Sequence, residues 1–477
     1  MPGTWTSADH LEILRKSLKD AVPYTCGMHP VSKEQLGLYF STDGGDGARY
    51  IDFASLKDDA PLEALAAACD KATFGSDSGD VFDETYRKAG KLDTDKFSTR
   101  IDIVSSGLLD AVAQDLLVEF PKIFAAKVGG KVDEQAEPNP EVAHPLTPER
   151  VLRAEMYKLN VYGPGSFFKA HKDTPRGEDM VGSLVIILPT LHKGGALVLE
   201  HGEGRWTFDS SNRLDQHRES YPETPAVAYI AFFSDVVHIV EPVVSGFRVT
   251  LTYNLFLSPS TSSSSIHRIT PAAELACETS LRALLSDPTW FKEGGHIAFG
   301  LSHQYPIPRD SGDRHVMLKP EVLKGADARL KNAALRAGLA PRLRLIYRVD
   351  EYEEIHEGWP QRLVVLDDVA DMSYFDADEG FSSVEIEEQG EILKNLNGDG
   401  TDAVRPATPG DRYEYRRAPK ALPIGVYWAT PPTWMNQAKS SYTANYGNDY
   451  SEDCVYGDAA LFIAIPPATD ASRCIME

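Results

Sequence analysis

The chain has 477 residues, of which 42% are hydrophobic and 25% are charged, as in ordinary soluble globular proteins. This length allows two or three domains, each with its own hydrophobic core. The 48 basic and 71 acidic residues give a net charge of −23. Without a local basic run, that charge argues against a nucleic-acid or anionic-membrane partner, and we predict neither.

The N-terminus and the cysteines bear on the compartment. The first residues lack the basic and apolar regions of a secretory signal, and no segment approaches the ~18 apolar residues that would span a membrane. The five cysteines are widely scattered and contain no C-x-x-C pair. That pattern is typical of reduced thiols, and we predict a cytoplasmic or nuclear protein.

Residues 1–148 predict a mixed α/β region that packs on the next domain. Residues 37–55 indicate a β-hairpin around a Gly/Asp turn, and residues 61–72 a helix. A longer helix is predicted over 106–120, because apolar side chains recur every four residues on one face. Residues 127–148 are rich in Gly, Pro and charge and predict a flexible linker.

Residues 149–257 predict a domain built from strands. Five short β-branched or aromatic runs are separated by Gly, Pro and acidic turns, and no helix of convincing length intervenes. The runs are AEMYKLNVYG, GSLVIILP, GGALVLEH, AVAYIAFF and GFRVTLTYNLF. This pattern is typical of an antiparallel sandwich or jelly roll.

Residues 258–269 begin with a serine-rich stretch and predict a linker. Residues 270–477 then predict a C-terminal α/β domain of unknown role. Its helices are predicted from Thr270 to about Ser286 and over 326–337, the latter ended by Gly338. Its strand-like segments are RLRLIYRV, RLVVLDD, IGVYWA and ALFIAIP.

The stretch FFKAHKDT places His171 and Asp173 two residues apart at the end of a strand-like run. Residues i and i+2 of a strand point to the same face, so both could bind one metal ion. His238 is the predicted third ligand, because a lone histidine in a largely apolar region needs a partner. The competing histidines, His192, His201 and His217, lie in polar contexts that predict loops.

Arg248 lies ten residues after His238, in a strand whose alternation places Thr250 on the same face. A buried arginine is expensive unless it pairs with a carboxylate. Two histidines and one carboxylate leave one face of an octahedral metal open, as in non-haem Fe(II) oxygenases. An inward arginine would then anchor a dicarboxylate cosubstrate.

Three segments resemble the catalytic domain of prolyl 4-hydroxylase-like Fe(II)/2-oxoglutarate oxygenases: YGPGSFFKAHKD, KGGALVLEHGEG and FFSDVVHIVEPVVSGFRVTLT. The resemblance implies a double-stranded β-helix (jelly-roll) core with flanking helices, in an α+β chain. It also implies that His171, Asp173 and His238 bind Fe(II). Arg248, with Tyr162 and Thr250, would bind 2-oxoglutarate, and O2 would be the second cosubstrate.

The sequence departs from the family at two positions, Phe168 and Leu197, where relatives often have tyrosine and threonine. The resemblance implies a dioxygenase that hydroxylates a protein or peptide, with proline as the first candidate residue. Hydroxylation of a free amino acid or other small metabolite remains an alternative, as does a non-catalytic binding module. Nucleic-acid demethylation is disfavoured, because the second arginine typical of that branch is Asn254 here.

Overall fold

A computed structural model describes most of the chain. The described residues are 5–19, 22–42, 47–76, 79–116, 150–177, 179–259, 272–305, 307, 320–349, 362–372, 384–403, 423–446, 449–470 and 473. The predicted linker at 127–148 and residues 260–269 of the predicted serine-rich linker lie outside them.

The helices are α1 (Ser7–Lys19), α2 (Ala60–Ala68), α3 (Leu108–Leu116), α4 (Ser210–Ser220), α5 (Ala272–Ser286), α6 (Gly325–Arg336) and α7 (Val384–Gln389). The first strands are β1 (Tyr24–Pro30), β2 (Gly37–Ser41), β3 (Ala48–Asp52), β4 (Asp70–Lys71), β5 (Phe74–Ser76), β6 (Gly79–Val81), β7 (Arg87–Lys88), β8 (Gly90–Asp93) and β9 (Phe97–Thr99). Then come β10 (Arg150–Tyr162), β11 (Phe167–His171), β12 (Met180–Ile187), β13 (His192–Gly194), β14 (Leu197–His201), β15 (Gly204–Phe208), β16 (Ala226–Phe233), β17 (Val237–Val240), β18 (Val243–Gly246) and β19 (Arg248–Pro259). The last strands are β20 (Gly295–Gly300), β21 (Pro341–Val349), β22 (Arg362–Leu366), β23 (Glu391–Asn395), β24 (Ile424–Thr430), β25 (Gln437–Tyr446) and β26 (Asp449–Ile465).

The described residues divide into two compact units. The central unit holds residues 22–116 and 150–259, and the C-terminal unit holds residues 5–19 together with those from 272 onward. Helix α1 therefore belongs with the C-terminal unit, where it packs on α5 and α6. The sequence alone predicts instead that this N-terminal segment groups with residues 1–148.

The two largest sheets of the central unit are antiparallel. One has the strand order β1-β16-β12-β19-β10-β8-β4, and the other the order β15-β14-β17-β11-β7. Both contribute to one hydrophobic core cluster, with Ile186 and Leu251 from the first sheet and Leu199 and Val240 from the second. All eight side chains of β16 are buried, as expected for an apolar strand between two neighbours.

The C-terminal unit is built on a seven-stranded sheet of order β20-β24-β23-β22-β21-β26-β25. Its pairs are antiparallel except for β20–β24 and β23–β24, which are parallel. The predicted strands in this region are confirmed. So are its two helices, and Gly338 has the positive φ of 78° expected of a residue that ends a helix.

The predicted mixture of mostly antiparallel sheets and helices is confirmed, as is the hairpin, in which β2 pairs with β3. The prediction that no helix lies within 149–257 was wrong, because α4 lies between the strands β15 and β16. Its sequence, SSNRLDQHRES, carries only Leu214 as a large buried apolar residue. The helix is instead fixed by Asp209, whose side chain accepts a hydrogen bond from the Asn212 N–H as its N-cap.

The four cysteines within the described residues are free thiols: Cys26, Cys69, Cys277 and Cys454. Among the described helices, none is both long and apolar enough to cross a membrane.

Candidate active site

Two histidines and one aspartate of the central unit meet where β11 and β17 pair. His171 ends β11 and His238 lies in β17, and the antiparallel register places the two opposite each other. Their ring centroids are 4.0 Å apart. Asp173 follows β11 by two residues, and one candidate ligand atom from each of the three lies within 4.8 Å of the others. The structure thus brings the three predicted metal ligands together.

Backbone carbonyls orient both imidazoles. Nδ1 of His171 lies 2.8 Å from the Lys169 carbonyl oxygen, and Nδ1 of His238 lies 3.1 Å from the Val236 carbonyl oxygen. Because a carbonyl oxygen only accepts, each Nδ1 carries the proton and each Nε2 keeps its lone pair. This is the tautomer that a metal-binding histidine needs.

The charges of the group also suit a cation. Ser183 Oγ donates to Asp173 Oδ2 at 2.5 Å, and Asp173 Oδ1 lies 3.7 Å from His238 Nε2. Burial, reinforced by the neighbouring His238, lowers the pKa of His171 to about 2. His171 is therefore neutral at physiological pH, with its nitrogen available to a metal.

The Phe168 ring packs against the His171 ring. The two rings stack with centroids 3.4 Å apart and an interplanar angle of 24°. Phe168 also contacts Tyr86, edge-on with ring centroids 6.0 Å apart, and the Arg87 guanidinium, which lies 4.4 Å from the Phe168 ring centroid. The position that departs from the family pattern is thus a packing element of the metal-binding group.

Strand β10 contains a β-bulge. The register of β10 against β19 shifts between Met156 and Lys158, which leaves Tyr157 without a partner in the ladder. Lys158 Nζ lies 3.9 Å from the Tyr157 ring centroid. The Arg176 guanidinium is 4.6 Å from the same centroid and donates to the tyrosine hydroxyl. The three side chains form a cationic cluster, Tyr157–Lys158–Arg176.

This cationic cluster is electrostatically coupled to the site. Burial, followed by the charges of Arg87 and Lys91, lowers the pKa of Lys158 to about 7, while the Asp173 carboxylate acts in the opposite direction. Within the described part of the chain, Lys158 Nζ makes neither a hydrogen bond nor an ion pair. Its charge is therefore available to a ligand.

Arg248 lies at the start of β19, opposite Tyr162 of β10. The residue is 1% exposed, and its guanidinium carbon is 5.6 Å from the Tyr162 ring centroid. Burial lowers its pKa to about 10, against the opposing effect of Tyr162, so the side chain stays cationic at neutral pH. Arg248 Nε and Nη2 are buried and find no acceptor among the described residues.

Two further residues shape the space around Arg248. Gly195 has a φ of +70°, and a Cβ at this position would lie 2.9 Å from Arg248 Cδ. The second glycine of the double-glycine motif thus leaves space for the Arg248 side chain, because it has no side chain of its own. Thr250 is buried two residues further along β19, opposite Asn160.

Residues 157–256, which contain all six predicted site residues, match the family model of the 2OG-Fe(II) oxygenase superfamily. These residues are a 2OG-Fe(II) oxygenase domain. The enzyme class is accordingly that of 2-oxoglutarate-dependent dioxygenases, with Fe(II) as the metal and 2-oxoglutarate and O2 as cosubstrates. No curated protein sequence matches the chain at a significant level.

Several solved structures resemble the chain at low identity. A 2OG-Fe(II) oxygenase family oxidoreductase from Burkholderia pseudomallei is 17% identical, covering 54% of this chain and 93% of its own, with a TM-score of 0.23. A Pseudomonas putida prolyl-4-hydroxylase is 13% identical, covering 52% and 98%, with a TM-score of 0.25. A Trichoplax adhaerens prolyl hydroxylase, solved with a hypoxia inducible factor peptide fragment, is 12% identical, covering 54% and 94%, with a TM-score of 0.26.

The residues of the oxygenase domain fit both groups that the superfamily uses. Two imidazole nitrogens and one carboxylate oxygen are the donor set of a facial Fe(II) site. The buried Arg248, with its unpaired N–H groups, has the charge and geometry that a carboxylate would satisfy.

The competing histidines were wrongly predicted to lie in loops. His192 begins β13, His201 ends β14, and His217 lies on α4. His201 Nε2 is 3.3 Å from Asp235 Oδ2, and His217 Nε2 is 2.8 Å from the Thr224 carbonyl oxygen.

The sequence pattern did not reveal the burial of His192 or the position of Lys158. His192 is buried beside the double glycine, and its charged surroundings in the sequence concealed that burial. The signal that could have found it was its position, three residues before Gly195. Lys158 was missed because the bulge that redirects β10 leaves no mark in the sequence pattern.

Proposed function

We propose that this oxygenase domain hydroxylates a protein or peptide substrate at a prolyl residue, with Fe(II) and 2-oxoglutarate. One observation carries the proposal. A two-histidine, one-carboxylate group with donor atoms within 4.8 Å of one another shares the domain with a buried arginine that has two unpaired nitrogens. The first feature suits Fe(II), and the second suits the distal carboxylate of 2-oxoglutarate.

Each residue has a distinct role in this proposal. Nε2 of His171, Nε2 of His238 and the Asp173 carboxylate hold the metal. Arg248 pairs with the distal carboxylate of 2-oxoglutarate, while Tyr162 and Thr250 line the pocket around it. The chemistry that the bound metal supplies is insertion of one oxygen atom of O2 into a substrate C–H bond, as 2-oxoglutarate is converted to succinate and CO2.

The remaining residues keep this arrangement rigid. Ser183 fixes the Asp173 carboxylate, and Phe168 supports the His171 ring. A site held on strands and locked by packing keeps its ligands near the geometry that catalysis needs. We assign the two sheets of the central unit to a double-stranded β-helix, supported by their antiparallel order and shared core.

Two features support a polypeptide substrate. The metal-binding group is open enough that the Asp173 side chain is 28% exposed, as access for a residue within a larger chain requires. The motifs around Tyr162, His171 and His238 resemble those of prolyl 4-hydroxylase-like enzymes. The Tyr157–Lys158–Arg176 cluster adds a preference for an acidic side chain near the target proline, because it offers unpaired positive charge.

The test is succinate formation from 2-oxoglutarate with proline-containing peptides, compared with a panel of free amino acids and other small metabolites. The expected result is peptide-stimulated succinate and a 16-Da mass gain on proline. A His171→Ala preparation serves as the blank. Turnover with a metabolite and with no peptide would reject the polypeptide substrate and favour the metabolite alternative.

A further inference from the structure

His192 is a buried histidine that the proposed function leaves without a role. Its side chain is 5% exposed, and Nδ1 lies 3.2 Å from the Thr190 carbonyl oxygen. Its Nε2 is buried and has no hydrogen-bond partner among the described residues. Buried polar atoms in native proteins are normally paired, so an unpaired one calls for a ligand or another explanation.

Strand β13 places His192 near Arg248. In the β13–β18 pair, His192 lies opposite Gly246. Gly246 precedes Arg248 by two residues. The same strand leads directly to Gly195, where an added Cβ would lie 2.9 Å from Arg248 Cδ. The buried, unpaired nitrogens of His192 and Arg248 therefore belong to one region of the domain.

We propose that Nε2 of His192 is a second binding group for the distal carboxylate of 2-oxoglutarate, and that it takes up a proton as the cosubstrate binds. This inference rests on the proposed function, since it requires the Arg248 pocket to hold that carboxylate. It adds a proton-coupled anchor to the arginine.

The proton follows from hydrogen-bond chemistry. Because the Thr190 carbonyl oxygen can only accept, Nδ1 of His192 carries a proton. In the neutral ring Nε2 then has a lone pair, which cannot bind a carboxylate, since a carboxylate also only accepts. A hydrogen bond between the two requires the imidazolium form, with a proton on each nitrogen.

Burial and the charge of Arg248 keep His192 neutral until the ligand arrives. Burial, followed by the charge of Arg248, lowers the pKa of His192 to about 4. The charges that act in the opposite direction are those of Asp215 and Asp209. Asp215 is itself paired with Lys193 at 2.7 Å and with Arg218 at 2.8 Å. A bound carboxylate would offset the charge of Arg248 and raise the pKa of His192.

The sign of the pH dependence follows by linkage. A group whose pKa is raised by a ligand strengthens binding at low pH, and this gain is lost as the pH rises from the free pKa to the pKa in the complex. Between about 4 and that second pKa, the affinity for 2-oxoglutarate should fall by up to tenfold per pH unit. Above it, the affinity should stay constant.

The experiment is calorimetric binding of 2-oxoglutarate to the full chain with Mn(II) in place of Fe(II), which prevents turnover. Titrations at pH 6 in two buffers of different ionisation enthalpy give the number of protons taken up. His192→Leu removes the nitrogen, and His192→Gln keeps a neutral N–H donor. A second ligand, 2-oxopentanoate, has a methyl group in place of the distal carboxylate and serves as the control.

We expect the wild-type protein to take up a proton with 2-oxoglutarate. His192→Leu should bind 2-oxoglutarate about ten- to a hundredfold more weakly at pH 6, with 2-oxopentanoate unaffected. His192→Gln should retain most of the affinity and lose the excess proton uptake. Equal proton uptake by wild-type and His192→Gln proteins would overturn the inference, even if His192→Leu failed to fold. Failure of the wild-type protein to bind 2-oxoglutarate would overturn the proposed function as well.

Discussion

His171 and Phe168 stack face to face, with their ring centroids 3.4 Å apart. They are the second and last residues of the five-residue strand β11, and the pairing of β11 with β17 is irregular between them. In a regularly alternating strand, two residues three positions apart point to opposite faces. The irregular pairing therefore brings the two rings to the same face. The phenylalanine at this position therefore positions a metal ligand.

Replacing Phe168 by Ala should weaken both the fold and the metal site. Removal of a buried ring costs about 3–5 kcal/mol of unfolding free energy, and Phe168 is 6% exposed. Urea denaturation measures the stability, and Mn(II) titration measures the metal affinity. Phe168→Tyr, which keeps the ring, is the control and should retain metal affinity. A Phe168→Ala protein with wild-type metal affinity would show that the stack has no positioning role.

Ser183→Ala should reduce metal affinity without unfolding the protein. The change removes the donor to Asp173 Oδ2 and frees the carboxylate to rotate. Loss of such a supporting hydrogen bond typically costs about ten- to a hundredfold in metal affinity. Ser98→Ala, at an exposed position of β9, is the matched control. If both variants bind Mn(II) as the wild type does, the hydrogen bond does not orient the ligand.

Gly195→Ala should weaken 2-oxoglutarate binding. The new Cβ would lie 2.9 Å from Arg248 Cδ, in a backbone conformation with φ of +70°. Gly202→Ala is the control that separates backbone strain from steric overlap with the arginine. Its φ is also positive, at +56°, but nothing lies within 4 Å of the added Cβ. Both variants should lose about 1 kcal/mol or more of stability through the positive φ. Only Gly195→Ala should lose affinity for 2-oxoglutarate in the Mn(II) calorimetric assay. Equal losses of affinity in both variants would show that Gly195 does not shape the Arg248 pocket.

Lys158→Gln should raise the KM for a peptide with an acidic residue near the target proline by about fivefold, because a charged contact contributes roughly 1 kcal/mol. Its kcat should change little. The pKa of Lys158 is about 7, and the side chain loses its charge as the pH rises through that value. The wild-type KM should therefore rise between pH 6 and pH 8, and that of Lys158→Gln should not. Lys33→Gln, at an exposed position, is the control. An equal rise in KM for a peptide without the acidic residue would argue against charge recognition by Lys158.

The sequence predicted the residues whose chemistry is unusual for their surroundings. His238 stands in an apolar run, and Arg248 alternates with buried residues, so each needed a partner that the fold had to supply. The spacing of His171 and Asp173 added a shared face. These patterns are local, and the structure brings ligand atoms of His171, Asp173 and His238 to within 4.8 Å of one another.

The remainder depends on contacts between distant segments. Helix α4 has almost no apolar periodicity, and it forms because its cap and its packing against β16, β1 and β13 fix it. The burial of His192 depends on β18 and α4, which lie some 20 to 50 residues further along the chain. The side of β10 on which Lys158 lies is set by a bulge that no residue pattern marks.

Anaerobic Fe(II) titration of the wild-type chain beside its His171→Ala and His238→Ala variants tests the metal site directly. The wild-type protein should bind one equivalent of Fe(II), and each variant should lose that binding while keeping its circular dichroism spectrum. Fe(II) affinity that is unchanged in both variants would contradict the assignment of His171, Asp173 and His238 as the metal site.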